Sequence, residues 1–263
     1  MGLVHQAGVA HEIGDMNRIK AIGFDLFNTL ITAEPHALKG ALGRLTGSLA
    51  RAGIDPGYEE FKEAYREAAL GFIKRANRTG RETHNRFWIS EALGKIGYRI
   101  GPYDPRIGRA IDAYFSAFLD FCHPFPWTLE MLGTLRQRWP LGLLSNFTHA
   151  PAAFRIIDHL RLRPFFQVVL ISGRTGFRKP HPAGFIRLVE SLGVEGKEIL
   201  YVGDDPEADI NGALRAGLYP VRCIWGRGGK ALLPPGAVSE EVEIEDKNVP
   251  EVSTWKELLR LLP

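Results

Sequence analysis

Ile19-Lys20-Ala21-Ile22-Gly23-Phe24-Asp25-Leu26-Phe27-Asn28-Thr29 is the stretch on which the fold turns. Its opening residues, Ile19–Phe24, form a short apolar run, too brief for a helix and suited to a strand buried on both faces. The run ends abruptly in a carboxylate. An acid at the carboxyl end of a parallel strand stands where open α/β sheets bind their ligands. Asp is also ordinary turn and helix-cap chemistry. Taken alone, that plainer reading is the better one, so the rest of the chain has to decide.

Four further apolar runs, each bounded by turn or helix signals, follow in the second half: Leu141–Ser145, Gln167–Ile171, Glu198–Val202 and Pro220–Trp225. Helical periodicity separates them, which predicts an α/β, Rossmann-like, doubly wound parallel sheet with helices on both faces. Between the first two runs the pattern changes. Ala37–Ala52, Tyr58–Arg75, Arg86–Ile96 and Arg106–Phe121 repeat apolar residues three and four apart, with Gly53, Asn77–Gly80 and Gly101-Pro102 as punctuation. The expected organisation is an N-terminal extension over 1–17, a core made of 18–35 and 122–263, and an all-helical module inserted over 36–121. Aromatics at helical spacing there (Phe61, Tyr65, Phe72, Phe87, Trp88) read as core. Gly226–Glu245 reads as loop, and Thr254–Leu262 as a closing helix capped by Ser253 or Thr254.

Chemistry-bearing residues recur at the strand ends. Leu143-Leu144-Ser145-Asn146 places a hydroxyl there, able to bind an anion with neighbouring backbone N–H groups; by itself it is common turn chemistry. Gly176-Phe177-Arg178-Lys179-Pro180 sets a lysine before a proline, where a surface lysine is the default reading. Gly203-Asp204-Asp205-Pro206-Glu207-Ala208-Asp209 crowds carboxylates that repel unless a cation intervenes, and a hard oxygen set suits Mg²⁺. Acids at a helix start are the harmless alternative.

Each motif is modest alone, but their order is specific. Asp25, then Ser145, then Lys179, then Gly203-Asp204 with Asp209, each after a strand-like run, resembles the four-motif pattern of the haloacid dehalogenase-like superfamily over residues 19 to about 226. The inserted helices resemble the cap of the subclass that includes phosphoglycolate phosphatases and haloacid dehalogenases. The resemblance implies that Asp25 attacks the substrate and forms an aspartyl ester. It makes Thr29 a phosphate-holding or nucleophile-orienting residue and Ser145 the second-motif hydroxyl. Lys179 would keep Asp25 ionised and neutralise developing charge. Phe27, Asn28, Ser145, Asn146 and Lys179 are the expected substrate contacts. Asp25, Asp204, Asp209 and the Phe27 carbonyl are the expected Mg²⁺ ligands.

The chain departs from the phosphatase pattern at Phe27, where such enzymes carry a second Asp as general acid and base. Losing that group typically costs ~10²–10⁴-fold in rate. Haloacid dehalogenases carry an aromatic there instead, yet lack the acidic fourth motif that this chain retains. The metal motif weighs more, since those acids beside Asp25 would be costly without a cation. The expected activity is Mg²⁺-dependent hydrolysis of a small phosphorylated metabolite through an aspartyl phosphate. The alternatives are a metal-free 2-haloacid dehalogenase acting on a halogenated substrate, or a catalytically weak ligand-binding member. A substrate with a good leaving group, such as an acyl phosphate, needs no acid. His36, Lys74 and His84 are candidate acids from the cap.

Composition narrows the rest. The 263 residues are 45% hydrophobic and 24% charged, with a net charge of +3, which gives no reason to expect a nucleic-acid partner. No apolar stretch reaches the ~18 residues of a membrane span. The two cysteines, Cys122 and Cys223, have no metal-ligand spacing, and a reducing cytoplasm fits them. A monomer or homodimer is expected.

Overall fold

The computed structural model describes residues 16–228 and 242–263. Most of the extension expected over 1–17, and most of the loop expected over 226–245, therefore lies outside the described residues. The strands are β1 (Ala21–Phe24), β2 (Ile31–Ala33), β3 (Cys122–Pro124), β4 (Leu141–Ser145), β5 (Val168–Ile171), β6 (Ile199–Gly203), β7 (Tyr219–Cys223) and β8 (Glu251–Val252). Six of them form one sheet in the order β5-β4-β1-β6-β7-β8, and every neighbouring pair is parallel.

A parallel sheet must be covered on both faces, and the period of a strand sorts its side chains accordingly. In β1, Ile22 and Phe24 join the larger apolar cluster. Ala21 faces the opposite side, with Leu144, Phe185, Leu188, Ile199 and Tyr201. The helices are α1 (Ala37–Arg51), α2 (Tyr58–Thr79), α3 (Asn85–Lys95), α4 (Pro105–Phe121), α5 (Thr128–Arg136), α6 (Ala150–His159), α7 (Ser172–Thr175), α8 (Pro182–Leu192), α9 (Gly212–Arg215) and α10 (Trp255–Leu261), and the cover of the sheet comes from those after α4. No helix among the described residues is long and apolar enough to cross a membrane.

The first four helices leave the sheet after β2 and return at β3. Those two strands pair antiparallel, Ile31 with Pro124 and Ala33 with Cys122, which closes the base of the helical segment. Inside it, α4 buries Ile107, Ala110, Ile111, Tyr114, Phe115, Ala117 and Phe118, a stripe at three- and four-residue spacing. Each large side chain so buried contributes about 1.5–3 kcal/mol. Asp104 caps α4 by accepting the Arg106 N–H at 2.8 Å, and Pro105 opens its first turn, where no N–H is required. Phe61, Tyr65 and Trp88 are buried as expected, with Phe72 and Phe87 packed beside them. Thr254, not Ser253, caps the closing helix.

Candidate active site

The chain runs outward from β1 through β4 to β5, then returns to the other side of β1 for β6, β7 and β8. That reversal is a topological switch point, and it leaves a crevice at the carboxyl ends of β1, β4 and β6. Phe24 pairs with Leu143 on one side and Val202 on the other, so Asp25, Ser145 and Asp204 emerge side by side.

Lys179 joins them from the loop between α7 and α8. Its side chain is almost wholly enclosed, at 3% exposure, yet it is fully partnered. The ammonium donates to Asp25 Oδ1 at 2.6 Å, to the Tyr201 hydroxyl at 3.0 Å and to Asp209 Oδ1. Burial alone would push this ammonium down, but Asp209 and Asp25 outweigh it and hold the lysine well above its usual range. Asp204 stands close by. Burial first, then the neighbouring Asp209 and Asp25, push its carboxyl well above the usual range, and burial raises Asp209 against the pull of Lys179. One oxygen from each of Asp25, Asp204 and Asp209 lies within 4.8 Å of the other two. Three carboxyls thus crowd together, two of them bonded to a single lysine, a donor set that a hard divalent cation would fit.

The third acid of that run has a different task. Asp205 accepts the N–H groups of Glu207 and Ala208 at 2.9 and 2.7 Å, capping a π-helical turn over Pro206–Asn211. The turn swings Asp209 back under the sheet end, where its Oδ2 accepts the Asp205 N–H at 3.1 Å. Gly203 is needed for this return, since a Cβ there would sit 2.4 Å from the Asp209 carboxyl carbon.

Tyr201 is a site residue that the motif reading missed. Its ring is fully buried, and its hydroxyl also lies 3.2 Å from both the Leu144 carbonyl and Asp209 Oδ1. A Cβ at Gly23 would come within 2.8 Å of that ring, so the glycine in the middle of β1 is the trace it leaves in the sequence.

The remaining expected residues separate into two groups. Ser145 is buried at the tip of β4, and the Asn146 amide pins the Lys179 backbone, accepting its N–H at 2.7 Å and donating to its carbonyl at 3.0 Å. Asn28 lies at φ 60° in the tight turn after β1, and its N–H bonds the Ile31 carbonyl at 2.7 Å. Thr29 is fully enclosed, with its hydroxyl 3.6 Å from the Cys223 sulfur. The turn residues therefore shape the loop that presents Asp25.

Phe27 faces a different environment. Its ring stacks on Phe147 (5.6 Å, 15°) and meets the edge of Phe118 (6.4 Å, 89°). Phe115 packs on Phe147 and stacks on His149, which touches His84. Burial lowers both histidines to about 4, so both are neutral at pH 7. Of the other candidate acids, His36 is paired with Glu34 and Lys74 is exposed.

The sequence pattern of haloacid dehalogenase-like hydrolases matches residues 19–217. The chain is 30% identical over 210 residues to a glyceraldehyde 3-phosphate phosphatase of Methanopyrus kandleri, covering 80% of this chain and 85% of that one. It is 30% identical over 236 residues to a ribulose-1,5-bisphosphate 5-phosphatase of Halopiger xanaduensis, covering 88% and 91%. A solved 2-haloacid dehalogenase from Pseudomonas syringae pv. Tomato DC3000 shares the fold, with a TM-score of 0.66 at 23% identity over 92% of this chain and 97% of that one.

Proposed function

The chain belongs to the haloacid dehalogenase-like hydrolases, and on that premise we propose that it is a Mg²⁺-dependent phosphatase of a small phosphorylated metabolite, with Asp25 as nucleophile. The observation that carries this reading is the convergence of Asp25, Asp204 and Asp209, whose oxygens lie within 4.8 Å of one another. A metal-free dehalogenase has no use for that surplus of carboxyls. Asp25, Asp204 and Asp209, with the Phe27 carbonyl, would hold the ion. Bound there, Mg²⁺ offsets the repulsion between Asp25 and an anionic substrate.

The chain's own residues account for the rest. Lys179 bonds Asp25 Oδ1 and meets the charge that grows on the phosphoryl oxygens. Ser145 and the N–H groups after β4 receive that phosphoryl group, and Thr29 stiffens the loop bearing the nucleophile. An Asp25 oxygen bonds to phosphorus as the bond to the leaving oxygen breaks. Water then attacks the aspartyl phosphate, releasing phosphate and restoring Asp25. The helical segment 36–121 serves as the cap over the core formed by 18–35 and 122–263, excluding water from this step. Two buried free thiols suit a reducing cytoplasm.

Phe27 offers no proton to the departing oxygen, and His149, stacked on Phe115, and its neighbour His84 are neutral. The preferred substrates are therefore those whose leaving group departs as a stable anion, with acyl phosphates first. Phe27 is also what favours the second reading, dehalogenation, since halide leaves unprotonated. Purified protein assayed on acetyl phosphate, p-nitrophenyl phosphate and 2-chloropropionate, each with Mg²⁺ and with EDTA, separates the two. Phosphate release that EDTA abolishes is expected. Chloride release indifferent to EDTA would replace the phosphatase reading with the other.

A further inference from the structure

Cap and core are stitched together along a seam immediately before the lysine of the site. Gly80–Glu82 runs antiparallel against Gly176–Arg178, with the Arg178 N–H on the Gly80 carbonyl and the Glu82 N–H on the Gly176 carbonyl, both at 3.0 Å. The Arg81 guanidinium covers the Phe177 ring at 4.5 Å. Gly80 has φ 66°, and a Cβ there would lie 2.5 Å from the His181 ring, so only glycine allows so close an approach.

Glu82 is the residue of this seam whose side chain is buried in the core, at 3% exposure. Its Oε2 accepts the Ser172 hydroxyl at 2.6 Å. Its Oε1 accepts the Thr83 N–H at 2.9 Å and stands 3.8 Å from the Arg178 guanidinium. Ser172 is itself fully buried and accepts the Phe147 N–H at 2.8 Å. Phe147 follows Asn146, whose amide grips the Lys179 backbone on both sides. One carboxyl group of the cap thus reaches the loop that carries Ser145 and Asn146, and the loop that carries Lys179. Burying a carboxyl group is costly unless its bonds are made, and here they are made to the Ser172 hydroxyl, which in turn holds the Phe147 N–H, and to the Thr83 N–H, with Arg178 alongside.

We propose that Glu82 is a positioning residue, holding the seated cap against the core and, through Ser172 and Asn146, fixing where Lys179 stands against Asp25. The inference rests on the phosphatase reading for its kinetic consequence, but not for its structural one. A displacement of the order of 1 Å at the reacting groups costs roughly 100-fold in rate. Glu82→Ala is therefore expected to lower kcat by about 10–100-fold with little change in KM. Glu82→Gln keeps an oxygen for Ser172 and should recover most of the loss. Ser172→Ala should resemble Glu82→Ala, and the double variant should be no worse than either single one.

The structural consequence is read by amide hydrogen exchange, with or without an assayable substrate. Glu82→Ala is expected to speed exchange at 146–149 and 176–179, while Glu67→Ala, which breaks an exposed pair with Lys95 within the cap, leaves both segments unchanged. Unaltered exchange in Glu82→Ala would overturn the inference whatever the enzyme's activity. A loss carried by KM alone, or Glu82 and Ser172 effects that multiply in the double variant, would overturn it while leaving the phosphatase reading intact. A wild-type protein silent toward every phosphate would count against that reading alone, and exchange would then decide for Glu82.

Discussion

Below the end of β1, Lys179 joins Asp25, Tyr201 and Asp209 in a cluster nearly sealed from water, with Asp204 at its margin. Above it, Phe27, Phe147, Phe115 and Phe118 meet at ring distances of 5.1 to 6.4 Å, and the histidines among them are neutral. The two regions share the turn after β1 but do different work. The floor is a product of strand order, since only a switch point brings β1, β4 and β6 together at one end. The roof is built where the helical segment between β2 and β3 touches the rest of the chain, with Phe115 and Phe118 from that segment and Phe27 and Phe147 from the strand ends. On the proposed reading, the floor's surplus of carboxyls calls for a cation before an anion can bind, and the aromatic roof offers the leaving group no proton.

Removing the central charge of the floor should have the largest effect. Lys179→Met leaves Asp25 and Asp209 facing each other uncompensated, a break that costs about 3–5 kcal/mol of stability for a buried pair. Turnover should fall by roughly 10³-fold; denaturant melts and steady-state rates check both. Changing the roof should alter selectivity instead. Phe27→Asp sacrifices aromatic packing worth about 3–5 kcal/mol, but should raise alkyl phosphate hydrolysis relative to acetyl phosphate by roughly 10²-fold. An unchanged ratio between the two substrates would mean that the roof does not choose the leaving group.

Smaller effects sharpen the contrast. Tyr201→Phe removes one partner of Lys179 and should cost about 1 kcal/mol with a modest loss of rate. The roof also carries its own pH signature. His84 and His149 have folded-state values near 4, below the ordinary 6.5 of the unfolded chain. The unfolded chain therefore takes up protons first as pH falls. Their contribution to stability is full above 6.5 and is lost as pH falls toward 4. The melting temperature should decline across that window, and less steeply in a His84→Gln, His149→Gln variant.

Much of the floor is legible in the sequence. Apolar runs ending in Asp25, Ser145 and Gly203-Asp204 mark strand ends directly, because a strand buried on both faces must be apolar throughout. The four long helices announce themselves by spacing, to within a few residues at each end. The short pairs are not legible: Ile31–Ala33 with Cys122–Pro124, and Glu251–Val252, hold too few residues to show a period. The division of labour between Asp204, Asp205 and Asp209 depends on a π-helical turn that composition does not specify. Tyr201 left only the indirect trace of Gly23, and Glu82 left none, for a lone acid among polar residues reads as surface. What the sequence hides is where residues far apart in the chain touch, and the roof and seam consist of such contacts.

In the proposed reaction, Asp25 carries the phosphoryl group between two half-reactions. Rapid quenching of the enzyme during turnover of acetyl phosphate, followed by peptide mass analysis, tests it directly. One phosphoryl group is expected on the peptide containing Asp25, formed with Mg²⁺, absent with EDTA and absent in Asp25→Asn. Turnover that continues in Asp25→Asn, or a phosphoryl group found on another residue, would contradict it.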